Sequence, residues 1–204
     1  MSTQELWLYE QNALARGCQY ICGCDEAGAG PLAGPVYAAA VILPFGLEIP
    51  GLNDSKKLTE KKRETLFPII QEKAIAWAVA RVEAEEIDAT DILSARMKAM
   101  QLAIDALSIK ADYALIDGNR DKGRTFAITT PHKCLVKGDS LSASIAAASI
   151  LAKVSRDRWM VEAAKEYPQY CFEQHKGYGT KLHYEMLREY GISPIHRRTF
   201  LKNL

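Results

Sequence analysis

Four carboxylates stand where apolar runs of this chain stop. Cys24 leads into Asp25 and Glu26, Ile116 into Asp117, and Val136 through Lys137 and Gly138 into Asp139. If those runs are neighbouring strands of one sheet, the acids converge near its edge. Carboxylates brought together repel, so in a cleft they either take up protons or bind cations. Mg²⁺ favours a few carboxylates completed by water and phosphate oxygens, and a pair of such ions can stabilise the attacking and leaving oxygens of a phosphodiester. Simpler roles compete: Asp117 opens a DGN turn, and Asp139 stands where a helix N-cap belongs. Asp25 and Glu26 resist such a reading, because adjacent acids between an apolar strand and a glycine loop are costly without a partner.

The loop that follows, Gly28-Ala29-Gly30-Pro31-Leu32-Ala33-Gly34-Pro35, does not have the spacing of a dinucleotide-binding fingerprint, and no helical pattern follows it. It can still bring bare backbone amides close to a ligand. The five cysteines (18, 22, 24, 134, 171) and four histidines show no metal-ligand spacing. The cysteines read as reduced thiols, those on apolar strands as small core residues. A net charge of +1 does not by itself announce a polyanion partner, but the distribution is uneven. Gln174 to Leu204 carries six basic residues against two acidic, and Asn119 to Lys137 five against one. Such runs are ordinarily solvated faces and become evidence only if they flank a reactive centre.

Positioning the acids requires a sheet. With 204 residues and 48% hydrophobic composition the chain can bury one sizeable core and reads as a single domain over 1–204. Thr3 can cap a helix to about Arg16, closed by Gly17. Tyr20 to Cys24 and Val36 to Leu43 read as strands, Ala76 to Val82 as a third, Tyr113 to Ile116 as a fourth and Cys134 to Val136 as a fifth. Helices are expected after Thr59 to about Ala74, from Asp91 to Leu107, and along the alanine-rich Ser140 to Tyr167. That order describes a mixed α/β domain. No apolar run approaches a membrane span, and the opening MSTQELWLYEQ lacks the regions of a signal peptide, so a cytoplasmic protein without membrane contact is expected.

The strings CDEAGAGPLAGPVYAAAVIL, NDSKKL, LIDGN, LVKGDSLSASIAAASILAKVSRDR, HKGYGTKLH and PIHRRTF, in that order, resemble bacterial ribonuclease HII. The resemblance implies a ribonuclease H-like fold, a central mixed five-stranded sheet flanked by helices, in a monomer. It implies an endonuclease using two Mg²⁺ or Mn²⁺ ions, acting on the RNA strand of RNA/DNA hybrids and 5′ to single ribonucleotides in duplex DNA. The products would carry 3′-hydroxyl and 5′-phosphate ends. Asp25, Glu26, Asp117 and Asp139 match the family's catalytic, metal-holding carboxylates. Gly28, Ala29 and Gly30 match its ribose-contacting loop, with Ala29 standing where the family has arginine. Tyr178 matches its junction tyrosine, and Lys56, Lys57, Lys137, Lys176 and Lys181 are candidate phosphate contacts. The carboxylates alone would equally serve a resolvase of the same fold; the glycine loop together with Tyr178 favours a reader of the 2′-hydroxyl. Loss of the arginine would suit a non-catalytic hybrid-binding protein, against which the retained acids argue.

Overall fold

The computed structural model describes residues 5–201. Helix α1 (Leu8–Leu14) follows a short 3₁₀ turn, and strands β1 (Ile21–Ala27) and β2 (Val36–Ile42) form an antiparallel pair. Then come α2 (Glu60–Lys73), β3 (Ala76–Val82), α3 (Ala84–Ala89), α4 (Ile92–Asp105), β4 (Tyr113–Asp117) and β5 (His132–Leu135). The chain ends in α5 (Ala143–Glu166), α6 (Phe172–His175) and α7 (Lys181–Tyr190). The five strands make one sheet in the order β3-β2-β1-β4-β5. Pairing is antiparallel from β3 to β1 and parallel from β1 to β5, so the sheet is mixed as expected. The expected cap at Thr3, and Lys202 of the C-terminal basic run, lie outside the described residues.

Period-two alternation divides the sheet into two buried faces. Cys22, Cys24, Ala38 and Ala40 pack with Met97, Met100 and Ile104 of α4. Ala27, Ala39 and Val41 pack on the other face with Ala147, Ile150, Leu151 and Val154 of α5. Alanine dominates both contacts, letting helix and sheet approach closely. The closest approach is at Gly23, where a Cβ would fall 2.1 Å from the Ser144 carbonyl carbon.

Two boundaries differ from expectation in ways that matter. β1 does not stop at Cys24: its pairing with β2 continues through Asp25↔Ala39 and Glu26↔Ala38 to Ala27↔Tyr37, placing both acids inside the strand. The N-cap of α5 is Ser142, whose hydroxyl accepts from the Ile145 N–H. Asp139 instead sits in a 3₁₀ turn, Gly138–Ser140, and is free of the capping role. Glu10 of α1 accepts from the Ser142 hydroxyl at 2.6 Å and the Ser144 N–H at 3.2 Å, tying the first helix to this junction.

Gly23→Ala should lower stability by about 3 kcal/mol, because the added methyl meets backbone that cannot move aside. Gly30→Ala, which meets nothing within 4 Å, should stay within about 0.5 kcal/mol of the parent. Urea midpoints at unchanged slope read both changes; equal midpoints would contradict the close packing of α5 on β1.

Candidate active site

Parallel pairing of Cys24 with Ile116 brings the next residues, Asp25 and Asp117, side by side on the α5 face. Alternation sends Glu26 to the opposite, α4 face, where it meets the Arg96 guanidinium. Asp117 Oδ1 accepts the Gly138 N–H at 2.6 Å, which draws the turn bearing Asp139 against the end of β4. The acids therefore come from β1, β4 and the turn after β5, and they gather around Lys56, which lies in the 3₁₀ turn Ser55–Lys57.

Their electrostatics are those of a crowded anionic site. Burial, then the charges of Glu26 and Asp117, pushes the Asp25 carboxyl well above its usual range. Burial also raises Glu26, against the pull of Arg96. Asp139 is raised by burial, then by a hydrogen bond shared with Asp54 and by the charge of Asp117. For the Lys56 ammonium, partial burial pulls downward, but Asp25, Asp139, Asp117 and Asp54 together outweigh it and raise its pKa. Lys56 thus supplies a single positive charge to the cluster. Among the described residues, no three acid, imidazole or thiol groups close on one point as a finished metal cage. The donor set is all oxygen, and Glu26 Oε2 is buried without a hydrogen-bond partner. Such a half-built set suits a hard divalent cation that keeps water and substrate oxygens among its ligands.

Beside the acids, the glycine loop is held by two buried arginines. Arg156 donates to the carbonyls of Pro35, Ala33 and Lys176 at 3.0–3.1 Å. Arg197 donates to Gly34, Ala29 and Gly28, the last at 2.6 Å. Both side chains are fully buried, so Arg197 does not belong to the basic surface its place in the sequence suggested. Burial and the nearby Arg156 lower its pKa to about 9, which leaves it charged at neutral pH. Gly28, at φ +93°, has no room for a side chain: a Cβ there would lie 2.0 Å from Arg156 Nε.

The same arginine reaches the segment bearing Tyr178. Its guanidinium lies 5.8 Å from the Tyr178 ring centroid and Lys153 Nζ 5.7 Å, while the ring itself is 42% exposed. Leu32 N–H donates to Gly177 O at 2.8 Å, joining the two loops directly. From below, three histidines support the tyrosine segment. Ser193 N–H donates to His196 Nδ1, so that ring carries its proton on Nε2 and donates to His183 Nε2 at 2.9 Å. His183 must then hold its proton on Nδ1, which donates to Tyr178 O at 2.9 Å. His175 accepts from Gly177 N–H and donates to Tyr170 O. The histidines are neutral structural links, consistent with their lack of ligand spacing.

The remaining lysines are more dispersed. Lys57 is exposed and 3.8 Å from Asp54. Lys137 is exposed beside Asp139, in a left-handed conformation at φ 58°. Lys176 turns its ammonium onto the Glu173 carbonyl, and Lys181 projects into solvent 3.8 Å from Glu185. Sequence reasoning did not single out Asp54, Arg96, Arg156, Arg197 or the histidine chain as parts of this site. An arginine inside the alanine-rich run SILAKVSRDRWM was the available sign for Arg156, since a helix buried that deeply must partner any charge it carries.

The family model for ribonuclease HII matches residues 22–203. The chain is 54% identical over 197 residues to ribonuclease HII of Geobacillus sp. (strain WCH70), covering 97% of this chain and 69% of that protein. It is 56% identical over 180 residues to ribonuclease HII of Idiomarina loihiensis, covering 88% and 94%. Among solved structures, ribonuclease H2 from Pyrococcus horikoshii OT3 superposes with a TM-score of 0.72 at 27% identity, covering 89% of this chain and 93% of that one.

The histidine chain makes a pH-dependent prediction. Burial, chiefly, lowers the pKa of His183 and of His196 to about 4, against an ordinary 6.5. Between those values the unfolded chain binds protons that the folded chain refuses, so these groups remove stability as pH falls through that window. Asp25 and Glu26, whose folded pKa values are raised, act in the opposite sense. In His183→Asn one of the two imidazoles is gone, so its stability difference from the parent should narrow as pH is lowered from neutral to about 4. Urea midpoints across that range measure it, and parallel profiles would mean that the relay is not neutral.

Proposed function

Because the chain belongs to the ribonuclease HII family, and is accordingly a ribonuclease H enzyme, we propose that it cuts the RNA strand of RNA/DNA hybrids and the 5′ side of single ribonucleotides in duplex DNA. The products carry 3′-hydroxyl and 5′-phosphate ends. Asp25, Glu26, Asp117 and Asp139 would hold two divalent ions, Mg²⁺ or Mn²⁺, which would supply water activation and charge stabilisation at the phosphodiester. Lys56 lies among the acids and offsets part of their repulsion for an incoming phosphate. The enzyme acts as a monomer in the cytoplasm; among the described residues no helix is long and apolar enough to cross a membrane.

The observation that carries this reading is the orientation of the glycine loop beside the acids. Arg197 draws the carbonyls of Gly28 and Ala29 inward. In a trans peptide the N–H points opposite to the C=O, so the N–H groups of Ala29 and Gly30 face away from the buried guanidinium. Two outward donors on a loop without bulky side chains suit recognition of a ribose hydroxyl, which is the feature that separates RNA from DNA at a single site. Tyr178, half-exposed and clamped to the same loop, supplies an aromatic face for the neighbouring sugar or base. A resolvase would need the acids but not this pairing.

A substrate panel tests the reading: a duplex with one ribonucleotide, an all-DNA duplex and a hybrid, each with Mg²⁺, Mn²⁺ or chelator. Metal-dependent cutting of the first and third is expected, and cutting of the all-DNA duplex would sink the assignment. Asp117→Asn should abolish most turnover while keeping the fold and much of the binding, since it preserves shape and deletes a ligand charge; near-native turnover in Mg²⁺ would reduce Asp117 to a turn residue. Tyr178→Ala should cost more on the single ribonucleotide than on the hybrid, where many hydroxyls mark the strand. Equal losses in kcat/KM would assign the ring to packing.

A further inference from the structure

On the α4 side of the acids two cavities run into one another. The first, about 260 Å³, is lined by Leu93, Arg96, Gly118, Asn119 and Arg120. The second, about 520 Å³, shares Leu93 and Arg120 and continues past Lys122 to Arg124. Together they form a groove that begins beside Glu26, which Arg96 holds, and beside Asp117, which precedes Gly118. It then leads away from the carboxylates.

The groove is basic and its wall is built. Arg120, Lys122 and Arg124 are exposed, and among the described residues none of their side chains has a hydrogen-bond or ion-pair partner. Two acids lie nearby, Asp91 in the lining of the second cavity and Asp121 between Arg120 and Lys122, and each has its own partners. Asp91 accepts from the Ser94 N–H and hydroxyl and from the Arg124 N–H, and Asp121 lies 3.6 Å from His132. The loop is not a loose basic tail. Gly123 N–H donates to Phe126 O at 2.7 Å, Ile128 N–H to Asp121 O at 2.9 Å and Thr125 N–H to Ser94 Oγ at 3.0 Å. Gly123 sits so close to α4 that a Cβ would fall 2.2 Å from Ser94 Oγ. In a chain of net charge +1, three unpaired cations on one ordered wall are a local arrangement and no reflection of general basicity.

We propose that this groove binds the sugar-phosphate backbone of the substrate duplex, with Arg120, Lys122 and Arg124 taking successive phosphates as the strand leaves the carboxylates. A row of separate cations along an open groove fits a linear polyanion better than one small anion, which would call for convergent donors. The site lies across the sheet from the Tyr178 segment, so the duplex is held on both sides of the reacting bond. Phosphate contacts position a nucleic acid without reading its sugar or base. The groove therefore adds affinity to either duplex type and leaves discrimination to the glycine loop and Tyr178. The identity of the polyanion rests on the function proposed above.

The test compares the parent with the full chain carrying Arg120→Ser, Lys122→Ser and Arg124→Ser, binding to a ribonucleotide-containing duplex and an all-DNA duplex in chelator over a range of salt. The slope of log affinity against log salt should fall in magnitude by about 0.9 for each phosphate that is no longer neutralised. The weakening should be equal on the two duplexes, and kcat at saturating substrate should remain within about twofold, as groups that only position the duplex require. An unchanged slope overturns the proposal, and so does a weakening confined to the ribonucleotide duplex. Should the triple variant unfold, Lys122→Glu alone carries the same test, since it reverses one exposed charge; weakened binding supports the groove and parental binding refutes it. If the parent cuts all-DNA duplex, the substrate reading fails while the salt slopes still judge the groove.

Discussion

Two guanidiniums buried without a carboxylate partner organise everything near the acids. An isolated buried charge is costly, and the planar five-donor fork of arginine tolerates burial only where several acceptors surround it. Here the acceptors are main-chain carbonyls. Arg156 takes three, from Ala33, Pro35 and Lys176, and Arg197 takes those of Gly28, Ala29 and Gly34. The glycine loop folds around these charges and turns its carbonyls toward them. A lysine at either position would offer a compact ammonium in place of a fork and leave carbonyls unpaired. The missing side chain at Gly28 follows from the same constraint, since Arg156 occupies the space a Cβ would need.

From that anchor the consequences pass outward. Arg156 bridges the loop to Lys176 O and lies beside the Tyr178 ring, so loop and tyrosine share one anchor. The histidine chain completes the support, each ring's tautomer being set by the N–H of Ser193 at one end and the carbonyl of Tyr178 at the other. Burial is the chief reason these imidazoles stay neutral, and a proton added between His183 and His196 would also place donor against donor. None of these groups needs to touch substrate to matter. They hold backbone donors and an aromatic ring in place before any ligand arrives, and preorganisation of this kind lowers the cost of binding.

The sequence made the acids conspicuous and hid their supports. Asp25 and Glu26 stood out because two charges at the end of an apolar strand break a pattern that apolar neighbours make obvious. Strand positions were legible for the same reason, although β1 was expected to end at Cys24; the pairing that carries it to Ala27 depends on β2, which local pattern does not reveal. Arg197 was obscured in the opposite way. It belongs to a run with a basic excess, and such runs resemble a solvated face, yet its side chain is fully buried. Charge counts cannot distinguish a cation facing water from one facing carbonyls. The segment after Tyr167 carried real signals, Thr180 as a cap before KLHYEMLREY and Gly191 after it, that only a helix-by-helix reading would have taken up.

The placement of charge also explains how a nearly neutral chain can receive a polyanion at a cluster of acids. Repulsion from Asp25, Glu26, Asp117 and Asp139 opposes any phosphate that approaches, and Lys56, set among Asp25, Asp117 and Asp139, offsets part of it. Position 29 adds only a methyl group. Arg96 is committed to Glu26, so it neutralises the cluster from the α4 side without being free for a ligand. Three cations unpaired among the described residues also lie farther out, Arg120, Lys122 and Arg124, where a phosphate can be gripped beyond the strongest repulsion from the acids. On the proposed reading, affinity and selectivity are separated in space: charge on the α4 side would hold either duplex, while the backbone donors and aromatic ring on the α5 side would respond to the sugar. A site divided in this way would tolerate a neutral residue at position 29, because the contribution proposed for the loop comes from its peptide groups, which Ala29 leaves in place.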